Sequence, residues 1–268
     1  MKKSNGRIAN MLLRYAPQLS VLRHVPVLSS IFSWASRRLV PPDTLIWVQI
    51  QRGPARELWI RVNPRTGQDV QQGIGEPAVQ QAMQQHLSTG MTFYDLGANI
   101  GFFSLLAARI VGPTGHVVSF EADPEIAARL RENLAYNEFA HAKVEQKAVW
   151  SESTTVSFAR VDFNTSPDRG LGHVSSGDEG VPQTISVQAI SLDQFVLLHP
   201  APDFIKCDVE GAEVAVFQGA GRLLREKRPT LLVEMHNVQN QRVLIEKFMQ
   251  IGYACRNLDE NHVLALAQ

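Results

Sequence analysis

From Met91 to the end of the chain, apolar runs of strand length alternate with amphipathic segments of helix length, and no other feature restricts the fold as much. Thr92 to Asp95, His116 to Glu121, Lys143 to Ala148, Phe204 to Asp208 and Thr230 to Glu234 read as strands. Helices are expected from Phe102, over Pro124 to Tyr136, Ala212 to Arg225 and Asn240 to Ile251, with terminal strands near Tyr253 to Arg256 and Val263 to Ala267. Parallel strands need long crossovers, usually helical, so this rhythm predicts an α/β fold with a mostly parallel seven-stranded sheet and helices on both faces. Ser151 to Ile190 interrupts it: the stretch is rich in Gly, Ser and Asp, carries one expected strand at Thr184 to Ala189, and reads as a substrate loop in an enzyme or merely an insertion in a binding module.

Upstream, Leu45, Trp47 and Gln49 alternate with Ile46, Val48 and Ile50, and Leu58 to Val62 follows the turn at Gly53–Pro54, which predicts a β-hairpin. A helix is expected over Glu76 to Leu87, with Pro77 in its first turn and Ser88, Thr89 and Gly90 ending it. Residues 1–42 contain seven Lys or Arg and no acid, although the whole chain balances 26 basic against 26 acidic residues. Two short amphipathic helices are expected there, either in peripheral contact with an anionic membrane or lipid-linked acceptor, or docked on the main domain with their arginines solvated. Residues 1–74 thus read as an extension and 75–268 as the main domain.

Zero net charge argues against a nucleic-acid partner. Arg14, Arg23 and His24 break the apolar runs that a signal peptide would need, and no run is long enough to span a membrane. Two cysteines, Cys207 and Cys255, are too few for a disulfide framework, which with the foregoing predicts a cytoplasmic protein.

The string Phe93-Tyr94-Asp95-Leu96-Gly97-Ala98-Asn99-Ile100-Gly101-Phe102 is a strand running through a glycine turn into a helix. Gly97 and Gly101 remove side chains where the backbone bends and approaches a ligand, and Asn99 tolerates a left-handed conformation. A dinucleotide fold also uses such a turn, but the middle glycine of G-x-G-x-x-G is missing and Asp95 would repel a pyrophosphate. Glu121 ends the next apolar strand, where a carboxylate can accept both hydroxyls of a ribose.

These residues resemble the class I methyltransferases, and within them the FkbM family. The resemblance rests on DLGANIGFFSL (Asp95 to Leu105), FEADP (Phe120 to Pro124), SLDQF (Ser191 to Phe195), FIKCDVEGAE (Phe204 to Glu213) and VEMH (Val233 to His236). It implies a Rossmann-like fold and S-adenosylmethionine as methyl donor. Asp95, Gly97, Asn99 and Gly101 would hold its methionine part, with Ala98 and Phe102 in the same turn. Glu121 would hold the ribose, and Ala122, Ala148 and Val149 would flank the adenine. Cys207 departs from the isoleucine more usual at its place and reads as a packing change.

Asp208, Glu210 and Glu213 follow the strand from Phe204, and Glu234 and His236 close the next one, so ionisable groups should gather on the rim beside the glycine turn. Glu213 reads as a solvated or capping residue. For an O-methyltransferase acting on a sugar, glycolipid or natural-product-like hydroxyl, the expectation is a metal-free reaction in which Glu210 or His236 takes the proton and Asp208 orients cofactor or acceptor. A cation held by Asp208, Glu234 and His236 is the second reading, because one nitrogen and few oxygens suit magnesium poorly. A non-catalytic nucleotide-sensing or membrane-recruited module is the alternative from another class.

Overall fold

The computed structural model describes residues 44–64, 67–160, 172–174 and 184–268. The two expected N-terminal helices, and the membrane contact assigned to them, lie outside these residues.

The central strand, β3 (Thr92–Leu96), is apolar apart from its first residue and Asp95, and is buried at every position, as a parallel strand covered on both faces must be. Phe93 joins one hydrophobic cluster and Tyr94 the other, so the period-two alternation of side chains divides the core into two halves. On one face pack α3 (Phe102–Val111) and α4 (Pro124–Tyr136). On the other pack α6 (Glu213–Gln218), α7 (Gly221–Glu226) and α8 (Val238–Gln250).

The remaining strands of this sheet are β4 (His116–Phe120), β5 (Ala142–Glu145), β10 (Phe204–Cys207), β11 (Thr230–Glu234), β12 (Tyr253–Asn257) and β13 (His262–Ala267). Their order is β12-β13-β11-β10-β3-β4-β5, the mostly parallel seven-stranded sheet that the alternation predicts and the Rossmann-like arrangement that the resemblance implies. Within this sheet only β13 runs against its neighbours, antiparallel to both β11 and β12. The chain leaves β3 in one direction, through β4 to β5, and later returns to its other side as β10. The β3/β10 boundary is therefore a topological switch point, where the loops after the two strands diverge and leave a crevice.

Three expectations are corrected. The strand over Lys143 to Ala148 is two: β5 stops at Glu145, and β6 (Ala148–Val149) belongs to a second sheet with β7 (Thr154–Ala159), β8 (His173–Val174) and β9 (Thr184–Ile190), in the order β6-β9-β7-β8. The segment from Ser151 is thus partly sheet, closed by α5 (Leu192–Phe195), whose N-cap Ser191 accepts the Gln194 N–H. The helix over Ala212 to Arg225 breaks between α6 and α7, because Gly219 packs against the Trp150 carbonyl where any Cβ would collide.

The expected hairpin is present as β1 (Ile46–Gln49) and β2 (Trp59–Val62), antiparallel with Ile46 opposite Val62. Its Val48, Ile60 and Val62 share a hydrophobic cluster with Phe93 and α3. Side chains of α4 close its open edge: Asn133 accepts the Arg61 N–H at 2.8 Å and Asn137 the Trp59 N–H at 2.9 Å. The short α1 (Gln68–Gln72) and α2 (Pro77–His86) lead from it to β3, and α2 buries Val79, Ala82 and Met83 in the same cluster.

Candidate functional site

The turn after β3 uses three left-handed residues in five: Gly97 (φ 75°), Asn99 (φ 51°) and Gly101 (φ 91°). A Cβ on Gly97 would run into the Asp208 carbonyl, so glycine is what lets the two strand ends touch at the switch point. The Asn99 N–H then donates to Glu121 Oε2 at 2.9 Å, and the Asp123 N–H donates to Glu121 Oε1 at the same distance. Each oxygen keeps a further lone pair for a ligand. Burial pushes the Glu121 carboxyl up to about 7, against the lowering effect of those two N–H groups. Asp123 in turn caps α4 and is gripped by Arg160 through contacts of 2.6 and 3.2 Å. That pair ties the small sheet to the loop after β4.

Between them lies a cavity of about 120 Å³ bordered by Gly97, Asn99, Glu121, Ala122, Ala148 and Val149. Phe158 and Val174 of the small sheet complete its wall. A neighbouring cavity of about 240 Å³ has Ala98, Gly101 and Phe102 in its lining together with Glu76, Arg129 and Lys206. The two share Gly97, Asn99 and Asp208. The expected contact residues are thus brought together with one exception. Asp95 borders neither cavity: its side chain turns under α3, where Oδ2 accepts the Ser104 hydroxyl at 2.6 Å and Ser104 meets Ser119 at 2.8 Å. Its Oδ1 is buried without a hydrogen-bond partner.

Asp208, Glu210 and His236 converge on the rim. His236 Nδ1 lies 2.6 Å from Glu213 Oε1, and Nε2 lies 3.2 Å from Glu210 Oε2 and 3.7 Å from Asp208 Oδ1. The hydrogen-bonding carboxylates of Glu210 and Glu213 raise the ring's pKa to about 10. A ring set among three carboxylates in this way favours its protonated form. The reading of Glu213 as a solvated residue is corrected: it is fully buried, and accepts hydrogen bonds from the Gly211 N–H and Asn240 as well as facing His236. Burial would raise its pKa, but these donors hold it below the usual carboxylate range. Asp208 is likewise held low despite burial, by the Lys206 ammonium 3.0 Å away.

Sequence reasoning missed Lys206, Glu76 and His262. Lys206 is a buried cation inside an apolar strand, which is itself a signal that an acid must be near; its partners are Asp208 and, at longer range, Asp95 and Glu76. His262 sits on β13 with Nε2 3.3 Å from Glu76 Oε2 and 3.6 Å from Glu234 Oε2. Burial would lower its pKa, but the carboxylates of Glu234, Glu76 and Asp259 raise it to about 10.

These features fit a cationic nucleoside ligand. A glycine turn allows close approach, and a buried carboxylate borders the cavity. Asp208 and Glu210 add negative charge at the rim, where a sulfonium would be attracted.

Residues 95–259 match the methyltransferase FkbM domain family. Over 108 residues the chain is 35% identical to an arsenite methyltransferase of Halobacterium salinarum, a match covering 38% of this chain and 27% of that protein. The chain thus spans little more than a quarter of that relative. Among solved structures, it is similar to a methyltransferase FkbM from Methylobacillus flagellatus, with 16% identity and a TM-score of 0.48. That likeness covers 96% of this chain and 60% of the other. An O-methyltransferase from Thermotoga maritima shows 10% identity and a TM-score of 0.45 over 83% of this chain and 78% of that one.

Proposed function

This chain belongs to the FkbM family of S-adenosylmethionine-dependent methyltransferases, and on that basis we propose that it methylates a hydroxyl of a sugar, glycolipid or natural-product-like small molecule. When bound, S-adenosylmethionine supplies the methyl group on a sulfonium carbon. The chain's own residues must then hold the donor, place an acceptor oxygen and take its proton.

In this reading Glu121 accepts the ribose hydroxyls, Ala122, Ala148 and Val149 flank the adenine, and the Gly97-Ala98-Asn99-Ile100-Gly101-Phe102 turn cradles the methionine end. Asp95 acts from beneath that turn. Glu210 takes the acceptor's proton. Asp208, held ionised by Lys206, orients donor or acceptor, and the His236 cation, backed by Glu213, keeps both carboxylates in place.

One observation carries this assignment of roles. Glu210 borders the same cavity as the glycine turn, whereas His236 borders neither cavity and has both ring nitrogens turned to carboxylates. A cation held by Asp208, Glu234 and His236 ranks second, because one nitrogen and few oxygens suit magnesium poorly. The polar lining of the second cavity by Asn63, Arg129 and Lys206 suits a hydroxylated acceptor. The arsenite relative raises a second acceptor class. Trivalent arsenic prefers thiolate ligands, however, and Cys207 is buried with its thiol pushed well up by burial, while neither Cys207 nor Cys255 borders either cavity.

The test is a mass-spectrometric search of glycan, lipid and small-molecule extracts for label transferred from methyl-deuterated S-adenosylmethionine. A methyl ether is the expected product, and Glu210→Gln should lower kcat by roughly 10²-fold or more with donor affinity little changed. Methylation of arsenite, a thiol or an amine alone would overturn the hydroxyl assignment.

A further inference from the structure

Among the described residues, two clusters bring a histidine and two acids within reach of one ion: Asp208, Glu234 and His236, and Glu76, Glu234 and His262. They differ in what the histidine does. The His236 side chain is 22% exposed, with Nδ1 bonded to Glu213 and Nε2 facing Glu210 at 3.2 Å. His262 has Nδ1 fixed between the two oxygens of Asp259, at 2.8 and 2.9 Å, and Nε2 without a hydrogen bond. Its side chain is only 8% exposed. Glu76 Oε2, 3.3 Å away, is also enclosed without a hydrogen-bond partner.

We infer that His262 Nε2, Glu76 and Glu234 form a binding site for a first-row divalent ion such as zinc, which stitches the segment before α2 to strands β11 and β13. Two buried atoms that approach to 3.3 Å, yet do not align to hydrogen-bond, are arranged as ligands aimed at a common point. Separations of 3.3 and 3.6 Å also match the edge of a tetrahedron, about 3.4 Å for bonds of about 2.1 Å. Asp259 supplies the carboxylate that ligating histidines commonly carry on the opposite nitrogen. It fixes the ring so that Nε2 faces outward to the ion, and is itself fixed by the N–H groups of Asn261 and His262. One imidazole with two carboxylates favours zinc, manganese or iron over magnesium. A divalent ion would replace the single ring proton with twice its charge among three carboxylates.

The test needs no acceptor, so its failure leaves the methyl-transfer reading untouched. Full-length protein is stripped with a chelator and titrated with Co²⁺, followed by displacement with Zn²⁺. The expected result is one Co²⁺ per chain with visible absorption bands of a low-symmetry N,O site. Binding should be abolished in His262→Gln, weakened by at least about tenfold in Glu76→Gln and Asp259→Asn, and unchanged in His236→Gln. Should His262→Gln misfold by circular dichroism, Glu76→Gln, at a half-exposed position before α2, decides the outcome. Absence of stoichiometric binding would reduce the cluster to an ion pair and overturn the inference. So would loss of binding in His236→Gln with retention in Glu76→Gln, which would move the ion to the other cluster.

Discussion

Glu121 lies where the glycine turn, the end of β4 and a cavity meet, and its carboxyl is pushed up to about 7 by burial. Ribose hydroxyls donate to the ionised form, so a bound donor lowers that pKa and its affinity rises with pH up to about 7, then levels. Calorimetry of S-adenosylhomocysteine binding from about pH 5 to pH 8 should show this slope, and Glu121→Gln should remove it. The same variant should lose on the order of 1.5–3 kcal/mol of binding at neutral pH. Unchanged affinity and an unchanged slope would show that Glu121 does not touch the ligand. At this scale the carboxylates themselves were legible, because acids at the ends of apolar strands have few structural uses. Their protonation partners were not. Glu213 looks solvated in the sequence, yet it is fully buried because His236 and Asn240 arrive from distant segments to satisfy it.

The turn after β3 makes the tightest claim about an element. Gly97 is left-handed and abuts the Asp208 carbonyl, so Gly97→Ala combines an unfavourable φ with a backbone collision. It should cost at least about 2 kcal/mol in urea unfolding and abolish donor binding, whereas Gly90→Ala, whose Cβ meets only Thr114 at ordinary contact distance, should cost less. Equal destabilisation by the two would contradict the close approach of β3 and β10. Strands and helices with strong periodicity were readable in advance, including α4 to the residue. The breaks at Glu145 and Gly219 were not, because each is imposed by another segment: the small sheet captures Ala148–Val149, and Trp150 packs on Gly219.

Across the whole molecule, titratable groups displaced in opposite directions set the pH range of stability. His236 has a folded value of about 10 against 6.5 when unfolded, so the stabilisation from its proton is complete below pH 6.5 and disappears as pH rises to about 10. Glu121, raised from 4.5 to about 7, loses its contribution over that lower window in the same sense. Asp208 and Glu213 are held low, and their contribution is lost as pH falls below the ordinary carboxylate range. The melting temperature of the cofactor-free protein should therefore peak at mildly acidic pH and decline steadily from neutral to about pH 10. His236→Gln should flatten the alkaline limb. A melting temperature that climbs from pH 7 to pH 9 would contradict the protonated ring.

The parallel sheet, the glycine turn and the acids at the strand ends can all be read from the order of residues alone. Side-chain period and backbone conformational limits are local properties, and they are written within a few residues. Three-dimensional packing was needed to turn Asp95 away from both cavities toward Ser104 and Ser119. Packing also placed Phe158 and Val174 in the wall of the cavity beside Glu121, and brought Glu76 to Glu234 and His262. Those arrangements join residues from nine to more than a hundred and fifty positions apart. They depend on which strands become neighbours and on how burial changes the cost of a charge, and neither is encoded in any one segment.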